Sequence, residues 1–341
     1  MAKMNKERLG SIIQSEIRDS QNHFETEYSA DRLKAIDYYL GEPFGNEIEG
    51  RSSVVTTDFA DAVEQIMPSL MRIFTSSDKY VRYAPRTADD VEKAEQLTDY
   101  VNYIINNDND GYRIMYNWFK DSLMFKLGVV KFSWDETSTV QEEEYEGLTE
   151  EEIALLLSNP DIEVVGREEN YVATMTEFGE EIQIVDNYDL KVKITKKSGK
   201  IKIVNVPPEE FLFNRRAKSL EDCYFICHRT TMSVSDLVSM GYDRKLIEDH
   251  AGKIDSEVDE ERQKRFEDLE SQSGRDPADP SQKDVIVHDI IMKVDYDDDG
   301  VAEMRRILAI GDTGSEILEN DICDYIPFAV ISPILMPHRL V

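Results

Sequence analysis

The segment YRIMYNWFKDSLMFKLG, residues 112–128, constrains the fold most, because at helical spacing its apolar side chains surround nearly the whole circumference. Such a helix cannot lie on a surface; other elements must cover it on several sides. GVVKFSWD then reads as a strand leaving that helix at Gly128, so helix and strand start one packed unit with Trp118 and Phe119 in its core. The first forty residues also read as helix, and Gly41, Pro43, Gly45 and Gly50 mark a loop. In VTTDFADAVEQIMPSLMRIF, residues Phe59, Val63, Ile66, Leu70 and Ile73 form a core stripe, with Thr57 or Asp58 as N-cap. Pro68 predicts a kink there or a division into two helices. Val91, Ala94, Leu97, Val101 and Ile104 stripe the next helix.

Charge is strongly one-sided: 70 acidic against 39 basic side chains give a net charge of −31 over 341 residues. That balance excludes a broad basic face able to wrap a phosphate backbone. No apolar run is long enough to span a bilayer, and MAKMNKERLGSIIQSEI is polar and amphipathic, unlike a signal peptide, so the chain reads as made inside a cell. Residues 141–190 hold sixteen acids and one base, Arg167, around a short helix LTEEEIALLLSN and broken strands. KVKITKKSGKIKIV then carries six lysines and no acid. It reads as a hairpin turning at KKSGK, whose lysine face pairs with the acidic segment before it. VPPEEFLF is extended, and a helix resumes at SVSDLVSMGYDRKLIEDHAG. Residues 253–284 combine a charged helix, with a thin stripe of Val258, Phe266 and Leu269, and a linker, GRDPADPSQK.

Candidate chemistry is sparse. Cys223, Cys227 and Cys323 are odd in number and form no disulfide framework. In CYFICH the strand spacing sets Cys223 and Cys227 about 13 Å apart, too far to share a zinc, so packing is the expectation. DYDDDGVAEMRR, residues 295–306, fits a calcium loop at Asp295, Asp297, Asp299 and Gly300, but Arg306 stands where the bidentate glutamate belongs. VIVHDIIMKV and VAEMRRILAI on either side read as strands, so the motif is expected to be an exposed acidic hairpin tip. Five scattered histidines, His338 among them, make no catalytic constellation, and no catalytic residue, cofactor or metal site is expected. The alternative reading is an acidic metal-dependent enzyme or a calcium-responsive adaptor using Asp295, Asp297 and Asp299.

Several blocks then carry a resemblance. DYYLGEPFGNEIEGRSSVVTTDFADAVEQIMPSLMRIFTSSDK, the run from TDYVNYIINND to FSWDE, VPPEEFLFNRRAKSLEDCYFICHRTTMSVSDLVSMGYD, DYDDDGVAEMRR and PFAVISPILMPHR lie in order along the chain. They resemble the N-terminal part of portal proteins, the head-to-tail connectors of short-tailed bacteriophages of the large type. The resemblance implies an α+β fold. A helical wing-like portion with β-rich insertions spans 1–252 (helical 1–136, β-rich 137–252). A stem-like helix and linker span 253–284, with the helix itself at 253–273. A β-hairpin clip-like portion and the start of the return segment span 285–341, the clip itself 285–325.

By the same resemblance the protein is a structural subunit, not an enzyme, of a ring at one capsid vertex, commonly a dodecamer of itself. DNA passes through that ring during packaging and ejection without being held tightly. The packaging motor (terminase), scaffold and coat protein, and a tail adaptor would be its partners, with Asp297, Asp298, Asp299 and Glu303 as the docking residues. No membrane is involved; the protein belongs to the virion, and to the host cytoplasm during assembly. Such proteins usually continue well past the PHR element, so tunnel-lining helices, crown and barrel are expected to lie beyond this chain's extent.

Overall fold

A computed structural model of the chain describes residues 4–43, 45, 50, 54–175, 181–252, 264, 279–334 and 340. It divides into two compact units, one of Met1–Phe132 with Ile203–Val341 and one of Ser133–Lys202. In chain order the elements are α1 (Lys6–Phe24), α2 (Ala30–Leu40), α3 (Asp58–Thr75), α4 (Val91–Tyr103), α5 (Gly111–Phe125), β1 (Gly128–Leu148), α6 (Glu150–Leu156), β2 (Ile162–Met175) and β3 (Glu181–Val206). They continue with β4 (Phe211–Phe213), β5 (Phe225–Ser233), α7 (Val234–Ser239), α8 (Arg244–Glu248), β6 (Asp284–Val294), β7 (Glu303–Ile310), β8 (Glu316–Ile322) and β9 (Phe328–Ile331). The fold is α+β, with antiparallel pairing throughout the larger sheet.

The first unit is organised around that sheet, ordered β4-β5-β6-β7-β8. Nearly every residue of β6 is buried, on both faces of the strand, so both faces of the sheet's centre are covered. α1 carries Leu9, Ile13 and Ile17 into the main core, which also holds Phe211, Phe225, Ile290 and Ile307. α7 and α8 bury Val234, Leu237 and Ile247 against Val285, Val287 and Ile310. The helix expected over SVSDLVSMGYDRKLIEDHAG is therefore two short ones. Gly241, at φ +98, breaks it, a backbone angle that a side chain would resist.

A second core joins α3 to α5 through Val63, Met67, Met71 and Phe119. α5 is less enclosed than its composition suggests: Phe119 and Phe125 are buried, whereas Trp118 is half-buried and Tyr112 exposed. The chain leaves α5 through Lys126, in the left-handed region at φ 65, rather than through Gly128. α3 is one helix across Pro68, whose side chain faces solvent. Its buried stripe corrects the expected one. Val63, Met67 and Met71 point inward at four-residue steps, while Ile66 and Ile73 are 44% and 68% exposed. α4 departs similarly: it buries Ala94, Thr98 and Asn102, and leaves Val91 and Leu97 outside. Its inner face serves an extended segment whose backbone needs partners. The Asn102 side chain accepts from the Tyr80 amide at 2.6 Å and donates to the Val81 carbonyl at 2.8 Å, and Thr98 Oγ1 accepts from the Tyr83 amide at 3.0 Å.

In the second unit the strand order is β2-β3-β1. A capping box starts α6, with Thr149 and Glu152 exchanging side-chain and backbone bonds, and Ile153 packs on Leu190 and Val192. The expected lysine hairpin is not formed, because β3 runs unbroken through KKSGK. Gly199 makes no turn there. Instead the Trp134 ring lies on its backbone, so close that a Cβ would sit 2.0 Å from Cζ2. The expected electrostatics do hold: Lys191 and Lys193 reach Glu144 at 2.7 Å and Glu142 at 3.7 Å across the sheet. The stem-like helix at 253–273, apart from Lys264, lies outside the described residues, as do linker residues 274–278 and His338.

Because Phe119 is, among the described residues, the buried aromatic of the α3–α5 core, Phe119→Ala should lower stability by about 3–5 kcal/mol. Half-buried Trp118 should cost less when truncated. Thermal melts check this: an unchanged melting temperature for Phe119→Ala would mean that α5 does not anchor the bundle.

Candidate functional site

The sheet's β6–β7 hairpin presents the acidic motif. Val294 pairs with Glu303, so residues 295–302 form the loop between the strands, as the apolar alternation on both flanks predicts. Asp295 organises the loop: its two carboxylate oxygens accept from the amides of Asp299 at 3.1 Å and Gly300 at 2.9 Å. Asp299 accepts in turn from Val301 at 2.7 Å. Asp298 takes φ 60, a left-handed angle that aspartate tolerates better than most side chains. Glu303 turns inward, accepting from the Tyr296 amide at 3.0 Å and lying 3.9 Å from Arg305. Asp295 and Asp297 are half-buried, so only Asp298 and Asp299 project fully at the tip.

Asp295, Asp297 and Asp299 each place a carboxylate oxygen within 4.8 Å of the others. Two of the three already serve as acceptors for backbone amides, which is what an acidic turn needs to hold its own shape. Arg306, at the loop's twelfth position, turns away and forks onto Asp289 with two bonds of 2.9 Å.

That fork belongs to a charged cluster that sequence reasoning missed. Asp289 sits mid-strand in β6 and is 4% exposed. Lys131 of β1 reaches Oδ2, the oxygen that Arg306 Nη2 also holds, at 2.7 Å and donates to His228 Nδ1 at 3.1 Å. His228 Nε2 therefore carries the proton and faces Glu210 at 3.4 Å. Burial alone would push the Asp289 carboxyl up; the Arg306 fork and the Lys131 charge outweigh it and hold the group at about 2. The signal was available in the sequence as an aspartate inside VIVHDIIMKV, where a buried charge demands partners. The cluster is packed and internally satisfied, with the geometry of a structural tie.

With this geometry in place, a protein-family model described as "Phage SU10 portal protein" matches residues 9–341. The chain belongs to that phage portal family. No curated protein matches it. Family membership agrees with the resemblance carried by the blocks from DYYLGEPFG to PHR, and makes this a virion-associated chain of a structural family. Among the described residues no helix is long and apolar enough to cross a membrane.

In this portal chain the CYFICH cysteines are packing residues. Cys223 and Cys227 are buried, and burial pushes both thiols up, Cys223 to about 12, so neither is a ready thiolate. Across the sheet, His288 Nε2 donates to the carbonyls of Gly311 at 3.0 Å and Asp312 at 3.1 Å. That leaves Nδ1 to accept from the Cys227 thiol at 3.6 Å. Burial, with Arg229 nearby, lowers His288 to about 4.

A free histidine takes its proton near pH 6.5, so between there and about 4 the unfolded chain binds a proton that the folded chain refuses. This contribution to stability is complete above pH 6.5 and falls as pH drops towards 4, by about 3 kcal/mol in all. Denaturant titrations of the parent chain across that range should show the decline, and His288→Gln should flatten it. An identical pH slope in the variant would contradict the assignment.

Proposed function

We propose that this chain is a structural subunit of the portal ring at one capsid vertex. That ring, commonly a dodecamer, is the passage for DNA during packaging and ejection. The observation that carries the reading is the family match over residues 9–341, which spans both compact units. Residues 1–252 form the wing-like portion in this reading and 253–284 the stem-like connection. Residues 285–341 are the clip-like portion and the start of the return segment, and the β5–β6 pairing joins them to the wing-like portion in this reading. The packaging motor, scaffold and coat protein, and a tail adaptor are its partners. Asp297, Asp298, Asp299 and Glu303 form the docking tip, with Asp298 and Asp299 the outermost. The protein acts in the virion, and in host cytoplasm during assembly, without catalysis.

Two features support a channel that confines DNA without gripping it. The chain carries −31 net charge, which disfavours persistent phosphate contacts. Lys191 and Lys193, part of the densest run of bases, are occupied by Glu144 and Glu142. Fluorescence anisotropy with a linear duplex over a salt series tests this. The expected affinity at physiological salt is no tighter than about 10⁻⁶ M. Nanomolar binding with a steep salt slope, abolished by changing Lys193 and Lys196 to glutamate, would overturn the reading of a low-friction passage.

A further inference from the structure

Among aspartate dipeptides, Asp–Gly rearranges most readily, because no side chain on the glycine hinders its nitrogen from approaching the aspartate carboxyl. The sequence holds two such pairs, Asp110–Gly111 and Asp299–Gly300, and no asparagine is followed by glycine. The fold treats the two pairs differently.

Asp110 caps α5, its Oδ1 accepting from the Arg113 amide at 3.2 Å. Gly111 is buried as the first residue of that helix, and a Cβ on it would lie 2.5 Å from Ile105 Cγ2. Its amide donates to the Asn109 carbonyl at 3.1 Å. A peptide bond packed this closely has no room to turn. At the tip of the β6–β7 hairpin, by contrast, Asp299 and Gly300 are exposed, and no atom beyond the chain neighbours lies within 4 Å of where a Gly300 Cβ would stand. Two hydrogen bonds there match what a rearrangement needs. Asp299 Oδ1 accepts from the Val301 amide at 2.7 Å, which folds the carboxyl group forward over the 299–300 peptide bond. The Gly300 N–H donates to Asp295 Oδ2 at 2.9 Å, so the proton that the nitrogen must lose already points at a carboxylate able to take it.

We infer that Asp299 is a site of spontaneous isomerisation to isoaspartate, with Asp295 accepting the proton. The Gly300 nitrogen attacks Cγ of Asp299 in its acid form. The new N–Cγ bond closes a five-membered imide as the Cγ–OH bond breaks, and the N–H proton passes through Asp295 to the departing hydroxyl, which leaves as water. Water then adds to the Asp299 backbone carbonyl and breaks its bond to the Gly300 nitrogen, so the chain continues through the former side chain. Mass is restored, and the backbone gains one carbon at the tip. The reaction is independent of the portal reading. Its consequence for docking rests on that reading, because the loop it reshapes is the proposed docking tip.

The test incubates the folded full chain at physiological temperature and neutral pH beside a sample held in denaturant. Tryptic peptides 294–305 and 94–113 are then sequenced by electron-transfer dissociation, which separates isoaspartate from aspartate. In the folded chain isoaspartate should accumulate with time at residue 299 and not at 110, whereas the denatured chain should form it at both. Asp299→Glu, which would need a six-membered ring, should abolish it at that position, and Asp295→Asn should slow it. Residue 299 unmodified in the folded chain while the denatured chain isomerises there would show that the loop protects the site, and would overturn the inference. An equal or faster rate in Asp295→Asn would overturn the part given to Asp295.

Discussion

A carboxylate placed in the middle of a buried strand has to be met by cations long enough to reach it, and Asp289 sets that requirement for the larger unit. Arg306 answers from the neighbouring strand β7 and Lys131 from β1, so one side chain ties two parts of the chain far apart in sequence. The Lys131 ammonium is shared with His228, which leans on Glu210 just before β4. Removing either cation would leave the buried Asp289 carboxylate short of a partner, which is far more costly than replacing the whole set by apolar groups. The tie is compatible with one register of β6 on β7, the one in which Val294 meets Glu303. From that register follows the position of the hairpin tip at residues 295–302 and of the helices that cover the sheet.

Electrostatics has a different task in the smaller unit. There the acids of β1 and the lysines of β3 are exposed and face one another across strands, as Glu144 with Lys191 and Glu142 with Lys193. Exposed pairs of this kind add little stability. Their consequence is that these lysines are engaged by the protein's own acids rather than free to hold an anion.

Much of the fold was legible because helical and strand periodicities are strong where one side is buried and the other is not. The hairpin around DYDDDG followed from apolar alternation that stops at Val294 and resumes at Glu303. Errors arose where the buried side was polar or the exposed side apolar. α4 hides Thr98 and Asn102 because they satisfy the backbone of residues 80–83, a need that lies outside the helix. α3 is apolar on two sides, and its Ile66 and Ile73 drew the predicted stripe away from Met67 and Met71. KKSGK read as a turn because glycine usually marks one, whereas Gly199 is where the Trp134 ring must lie flat on the backbone. Asp289 went unremarked inside VIVHDIIMKV, and its partners Arg306 and Lys131 could be named only once the strands were paired.

The proposed ring requires that copies of this chain assemble around an open passage. Electron microscopy of the purified chain, with class averages examined for rotational symmetry, tests it most directly. Closed rings with a central hole wide enough to pass a duplex are the predicted result. Compact single subunits at every concentration, or two-fold dimers without a hole, would contradict it.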